Sequence, residues 1–301
     1  MSPVSDTDTT TTVTLTAAAR GLLDVLDLEP SADPDSYVGQ NQPQPWGRVF
    51  GGQVLAQSLV AAQRTVEAER PVHSMHGYFL RAGDLNEPIT FTVDRLRDGR
   101  SFSARRVQAS QLGRPILSMI ASFQQPASGI DHSAPMPDVP PPDDLLPLPE
   151  HFPGDETAQL RAWLRHRPVE IRPVEQPLHV SPAERAGSQS LWIRVNEQLP
   201  DDPALHAAVL AYGSDFTILE PALRLHGLTW STPGMNVASL DHALWWHRPV
   251  RADSWLLYVQ ESPSATGARA LCTGRFHTAD GELVASVAQE GMIRLLERPG
   301  A

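Results

Sequence analysis

The chain has 301 residues, enough for two domains or one large one, with 41% apolar residues and a formal net charge of −11. That charge gives a nucleic acid nothing to bind, and a ligand carrying phosphates would need a local cluster of Arg. All 24 basic residues are Arg, so the Walker-type phosphate loop and every Schiff-base or Lys-linked cofactor mechanism are excluded, while the single Cys272 leaves neither an intramolecular disulfide nor a CxxC metal site and reads as a buried thiol.

The N-terminal stretch is Thr-rich and acidic, without the positive and apolar segments of a signal peptide, and residues 1–14 read as a disordered tail. No apolar run approaches the roughly 18 residues of a membrane span. The expectation is a soluble, cytoplasmic protein with no membrane partner. Leu15–Leu28 carries a helical apolar stripe. SYVGQNQPQPWGRVFGG reads as a strand followed by a Pro/Gly-broken loop, and Gly51-Gly52 then opens a helix of about 15 residues. Paired glycines before a helix suit either a tight entry turn or an approach of helix N–H groups to a ligand.

Val72–Gln124 reads as four strands, HSMHGYFLR, ITFTVDRL, SFSARRVQAS and PILSMIASF, with turns such as RDGR and QLGRP between them. One helix followed by antiparallel strands predicts an α+β layer. From Pro126 to Pro153 the composition changes: nine of the 28 prolines fall here with five acidic residues, which predicts an extended linker lying along the domains it joins. A short helix in ETAQLRAWLRH and the strands VEIRPVE and SLWIRVNEQL come next.

Asp201–Gly227 is predicted as one helix, opened by Asp201, Asp202 and Pro203 and apolar at helical spacing through Val209, Tyr212, Phe216, Leu219 and Leu223. Asp215 falls on its apolar face, where an ionised carboxylate is costly without a partner. Either it sits at the edge of the core or it has a task. Four more strands, VASLDHALWWHR, SWLLYVQES, GARALCTGRFHTA and LVASVAQEGMIRL, complete the chain.

The order of elements repeats. VHSMHGYFLR answers VASLDHALWWHR, ITFTVDRL answers SWLLYVQES, LGRPILSMIASFQ answers DGELVASVAQEG, and FGGQVLAQSLVAA answers LHAAVLAYGSDF. Two halves, each a sheet wrapped around a long helix, describe a double hotdog in one chain. The predicted division is an N-terminal hotdog at 15–125, a Pro-rich linker at 126–160 and a C-terminal hotdog at 161–298.

The motifs RVFGGQVLAQSL, HGYFLRAGD, LRDGRSFSARRV, YGSD, LDHALWWHR and VAQEGMIR, in this order over roughly residues 20–297, resemble the acyl-CoA thioesterase II (TesB-like) family of double-hotdog enzymes. The resemblance implies an acyl-CoA thioester hydrolase without a cofactor or metal, and a tendency to form homo-oligomers, dimers or tetramers. It implies a catalytic Asp, hydroxyl and Gln in the second hotdog: Asp215 of YGSD, Ser239 of VASLDH and Gln289 of VAQEG. Gly51, Gly52, His76, Arg81, Arg105, Arg106 and Arg248 are candidate substrate contacts by motif position.

Read without the family, these residues differ in weight. Gln289 breaks the apolar parity of Leu283, Ala285, Val287, Ile293 and Leu295, so it is expected to be buried and hydrogen-bonded, for structure or for function. Ser239 is an ordinary strand serine, placed by parity with Val237, Asp241 and Ala243 and opposite His242. By the motif alignment, the first half has Ala121 opposite Gln289, about Val60 opposite Asp215 and Ser74 opposite Ser239, so one half carries the polar set. His73, His76, His242 and His247 lack metal-ligand spacing and read as structural. Without a GxSxG elbow, the expected reaction is direct attack by water with Asp215 as general base and an oxyanion met by backbone N–H groups near a helix N-terminus. Enoyl-CoA hydration and non-catalytic acyl-CoA binding are the alternatives.

Overall fold

The computed structural model describes residues 16–45, 47–152, 154, 158–178 and 185–295; the predicted tail at 1–14 lies outside them. Helix α1 (Ala17–Leu26) packs its apolar stripe inward, with Ala19, Leu22, Val25 and Leu26 buried. Strands β1 (Glu29–Pro30) and β2 (Ser36–Gly39) precede α2 (Gly51–Gln63), and β3 (Val72–Phe79), β4 (Ile89–Asp98), β5 (Phe102–Gln111) and β6 (Arg114–Gln124) follow. The second half opens with α3 (Ala158–Arg165), β7 (Val169–Pro173) and β8 (Ser188–Val195). It continues with α4 (Pro203–Ser214), α5 (Glu220–Leu225), β9 (Met235–Ser239), β10 (Asp241–Trp246), β11 (Leu256–Thr266), β12 (Arg269–Thr278) and β13 (Leu283–Leu295).

All these strands form one antiparallel sheet in the order β1-β2-β4-β5-β6-β3-β10-β13-β12-β11-β8-β7, with β9 on β13. The order 4-5-6-3 in one half is mirrored as 10-13-12-11 in the other, and β3 meets β10 at the centre. Two hotdogs are thus joined edge to edge, which removes one exposed strand edge from each. The twofold relation can be read from the ladders. His76 pairs with Ala243, Met75 with Leu244 and Gly77 with His242. Met75 faces Ala121 as His242 faces the position of Gln289, one step beyond Ala243–Ala288. Val72 faces Phe123 as Ser239 faces Gly291.

This register corrects two of the expected counterparts. Val72, not Ser74, stands opposite Ser239. On the helices, Asp215 is the C-cap of α4 as Arg64 is of α2, so Arg64 replaces Val60. Ala121 remains opposite Gln289.

The central helices α2 and α4 lie against each other, and ten of the 13 residues of α2 and nine of the 12 of α4 are buried. Asp202 caps α4 by accepting from Ala204 N–H (2.9 Å), with Pro203 at the first helical position as its chemistry predicts. The predicted single helix over 201–227 is broken, because Thr217 takes φ 61° and cannot continue an α-helix. That strained turn is held by buried Gln260, whose Nε2 donates to Phe216 O (3.1 Å) and Thr217 Oγ1 (3.0 Å). Asp215 therefore stands at a helix end, not in mid-helix.

The Pro-rich segment packs on the second hotdog through several contacts. Trp192 Nε1 donates to Pro140 O (2.9 Å), Arg172 Nη1 to Pro142 O (2.8 Å), and Arg248 pairs with Asp131 (2.5 Å). Leu148 and Phe152 enter the core. Cys272 is a buried free thiol.

Candidate active site

The site forms where the end of α4 meets the start of α2. Gly52 N–H, one of the unsatisfied donors of the first turn of α2, donates to Asp215 Oδ2 (2.8 Å). Two glycines make this approach possible. A Cβ on Gly52 would lie 2.4 Å from Tyr212 O, and one on Gly51 would lie 2.7 Å from Asp215 Oδ2. Burial pushes the Asp215 carboxyl up to about 7, with the Gln289 side chain and the Gly52 N–H pulling it back in part.

Gln289 is buried on β13 and, besides Asp215, reaches Ser239 and His242. Its Nε2 donates to Ser239 Oγ (2.9 Å), and its Oε1 faces His242 Nδ1 (2.5 Å). Parity places Ser239 and His242 on opposite faces, but the chain takes four steps from Ser239 to Ala243 while β13 takes three from Gly291 to Ala288. The extra residue, Leu240, resets the alternation, so both side chains meet Gln289.

The hydrogen bonds assign the tautomer of His242. Burial holds its pKa down to about 4, so the ring is neutral and carries one N–H. That N–H must be Nδ1–H, because Gln289 Oε1 only accepts. Nε2 lies 2.9 Å from Ser214 Oγ, a hydroxyl that itself donates to Ala211 O (2.9 Å). A directed chain results: His242 to Gln289, Gln289 to Ser239. Ser239 Oγ accepts the last of these bonds, so its own proton is free to point toward the cavity. His242 belongs to this network, although its sequence context reads only as a structural strand His. A polar side chain on the buried parity of β10, beside Leu244 and Trp246, was the available signal.

Asp215, Ser239 and Gln289 line a cavity of about 1420 Å³ that both halves enclose. Gly51 lines it from the start of α2, and Tyr212 O–H donates to Gln42 Oε1 (2.8 Å) on its wall. Arg81 lines it and is exposed, with Nη1 on Pro115 O (2.8 Å). The other expected substrate contacts lie elsewhere. Arg105 is buried, with its guanidinium tied to Thr65, Asp98 and the Arg97 and Ala104 carbonyls. Arg106 pairs with Asp94, and Arg248 with Asp131 and Glu282. His76 packs edge-on against Trp245. None of these four lines the cavity, because alternation sends Arg106 and His76 to the outer face while Arg105 and Arg248 serve ion pairs far from Asp215. Gly213, near the end of α4, has room by comparison: a Cβ there would meet only Ile193 Cδ1 at 3.6 Å.

Comparison with known proteins agrees with this architecture. Residues 165–292 match the acyl-CoA thioesterase family model, and residues 42–124 match that of the acyl-CoA thioesterase N-terminal domain. The chain is 42% identical to human acyl-coenzyme A thioesterase 8 over 284 residues, covering 90% of this chain and 88% of the relative. It is 36% identical to acyl-CoA thioesterase 2 of Haemophilus influenzae, covering 92% and 98%. The crystal structure of acyl-CoA thioesterase II TesB2 from Mycobacterium marinum superposes with TM-score 0.74 at 44% identity, covering 92% of this chain and 99% of that one. With likeness of that extent across both hotdogs, the chain belongs to the acyl-CoA thioesterase family.

Proposed function

We propose that this chain hydrolyses acyl-CoA thioesters to free acid and CoA, with water as the nucleophile and Asp215 as general base. The observation that carries the reading is a buried carboxylate raised to about 7, held by Gly52 N–H and opening on the cavity beside Ser239 and Gln289. A base poised near neutral pH both ionises and accepts a proton effectively.

Water bound between Asp215 and the Ser239 hydroxyl loses a proton to Asp215 as its oxygen attacks the thioester carbonyl. Charge that develops on the carbonyl oxygen lies near the positive end of α2, at Gly51 and Gly52. The C–S bond then breaks, and the departing sulfur takes the proton that Asp215 received. Gln289 and His242 set the position of Ser239. Ser239 is not the nucleophile in this reading, since its oxygen accepts from an amide and no imidazole reaches it. Arg81 serves the CoA phosphates at the exposed rim.

No helix among the described residues is long and apolar enough to cross a membrane. We place the enzyme in the cytoplasm as a homo-oligomer, a reading supported by exposed apolar residues on the outer sheet face, Tyr78 and Ile120. Thiol release from acyl-CoA substrates of graded length, followed for the wild type and Asp215→Asn, tests the chemistry. Free CoA from the wild type and its loss in the variant are expected. A 3-hydroxyacyl-CoA product, or full turnover by a folded Asp215→Asn enzyme, would sink the reading.

A further inference from the structure

Beyond the catalytic carboxylate, the same cavity contains a guanidinium that no carboxylate pairs with. Arg167 follows α3, and its guanidinium carbon lies 3.6 Å from the ring centroid of Trp163 and 4.7 Å from that of Phe216. Its Nε is shut off from solvent and bonded to nothing, and among the described residues no side-chain hydrogen bond or ion pair reaches this guanidinium. The side chain is half-buried and lines the cavity. Burial lowers its pKa to about 9, so it remains charged at neutral pH. A cation in such a place is costly until an anion or strong acceptor joins it.

The wall near it is built in the same way. Arg224 is 2% exposed, its Nη2 donates to Gln176 O (3.0 Å) and Gln189 Oε1 (3.1 Å), and its Nε is buried without a partner. Glu220 forms no ion pair with either arginine. Its oxygens accept from Trp230 Nε1 (2.8 Å) and Gln189 Nε2 (3.1 Å), and burial raises its pKa against the pull of these hydrogen bonds and of the two arginines. Glu175 also lines the cavity; it accepts from Ser190 N–H (2.7 Å), and among the described residues no ion pair joins it to Arg167 or Arg224.

The position relates Arg167 to the acyl group. Phe216 is the residue after Asp215, and its ring stacks on Phe50, the N-cap of α2, at 4.7 Å. Arg167 lies on that same ring. The exposed arginines of the cavity, Arg48 and Arg81, come from the first half and suit the solvated phosphates of CoA. Arg167 packs on two rings, closest to Trp163 at 3.6 Å, and a guanidinium packed on a ring keeps its N–H edge for an in-plane, two-point contact with a carboxylate.

We propose that Arg167, backed by Arg224 and Gln189, is a subsite for an anionic acyl terminus, so that the enzyme favours thioesters whose acyl chain ends in a carboxylate over unsubstituted chains of equal length. The inference rests on the thioesterase reading above. It places the enzyme downstream of reactions that oxidise the far end of an acyl chain.

The test compares kcat/KM for ω-carboxyacyl-CoA and plain acyl-CoA of matched length, over a series of lengths, in the wild type, Arg167→Met and Arg167→Gln. A charge-assisted pair predicts that the ratio of the two values falls about 10–100-fold in both variants at the preferred length. An unchanged ratio overturns the subsite, whether both activities stay constant or both fall together, as they would if Arg167 served the CoA common to both substrates. Loss of fold shows in the melting temperature. Binding is read separately, as the thermal shift given by free dicarboxylic acids against monocarboxylic acids of equal length; Arg167→Met abolishes the difference if the subsite is real. A wild type that cleaves neither thioester refutes the thioesterase reading, whereas cleavage of both with an unchanged ratio refutes only the subsite.

Discussion

His242 Nδ1–H and Gln289 Oε1 hold each other in a 2.5 Å hydrogen bond between β10 and β13, and this bond decides which end of the Gln289 amide faces Ser239. Met75 and Ala121 occupy the equivalent positions in the first half, both buried. The same scaffold thus accepts an apolar side chain where His242 stands. His242→Met is expected to fold and to lose about 10-fold or more in kcat with little change in KM, since a buried hydrogen bond is worth ~1–3 kcal/mol. A kcat equal to wild type would show that Gln289 needs no such anchor.

The pH profile should have one acid limb. Asp215 acts only when ionised and titrates at about 7, while His242, at about 4, stays neutral throughout. The log of kcat/KM is expected to rise with pH at unit slope and to level off above about 7. Asp215→Asn removes the base and is expected to lose ~10²–10⁴-fold in kcat. An acid limb near pH 4 would point to an Asp215 that is ionised far more easily than its burial allows.

Stability should run the other way. The folded-state pKa of Asp215 is raised, so between about pH 4 and pH 7 the folded protein holds a proton that the unfolded chain releases. Stability is therefore lost as pH rises through that window, by an amount on the order of 4 kcal/mol at most. Asp215→Asn lacks this penalty. Its melting temperature is expected to exceed that of the wild type at pH 8 and to approach it at pH 4; an identical difference at both values contradicts the argument.

Ser239→Ala should retain partial activity. The hydroxyl positions water and forms no bond to the acyl group, so a loss of about 10-fold is expected, in line with one hydrogen bond. Rapid-mixing experiments on the wild type should show no burst of thiol release. A stoichiometric burst would make Ser239 a nucleophile after all.

The two helix glycines should respond in opposite ways. Gly52→Ala drives a Cβ to 2.4 Å from the Tyr212 carbonyl, which must part α2 from α4 and pull the Gly52 N–H from Asp215. Loss of activity together with a lower melting temperature is expected. Gly213→Ala meets only Ile193 at 3.6 Å and should stabilise α4 by about 1 kcal/mol. Thermal melts of both variants check this directly.

Much of this molecule is legible in its sequence because the information is local. Apolar alternation marks the strands, Asp202-Pro203 marks the start of α4, and proline density marks the segment that packs on the second hotdog. Gln289 stands out because one polar residue on a buried strand parity must find partners. The duplicated order of elements, with the six motifs, identifies the double hotdog. Tertiary structure alone decided the rest. One extra residue at Leu240 turns Ser239 and His242 to the same face, and no periodicity counts a bulge. The left-handed turn at Thr217 stops the helix at Asp215, held by Gln260 from a distant strand. The partner of Asp215 is Gly52, in the other half of the chain. Arg167 reads as one arginine among 24 until packing places it on two rings in the cavity lining. Burial and its effect on a charge depend on everything that surrounds the group, and only the fold brings those surroundings together.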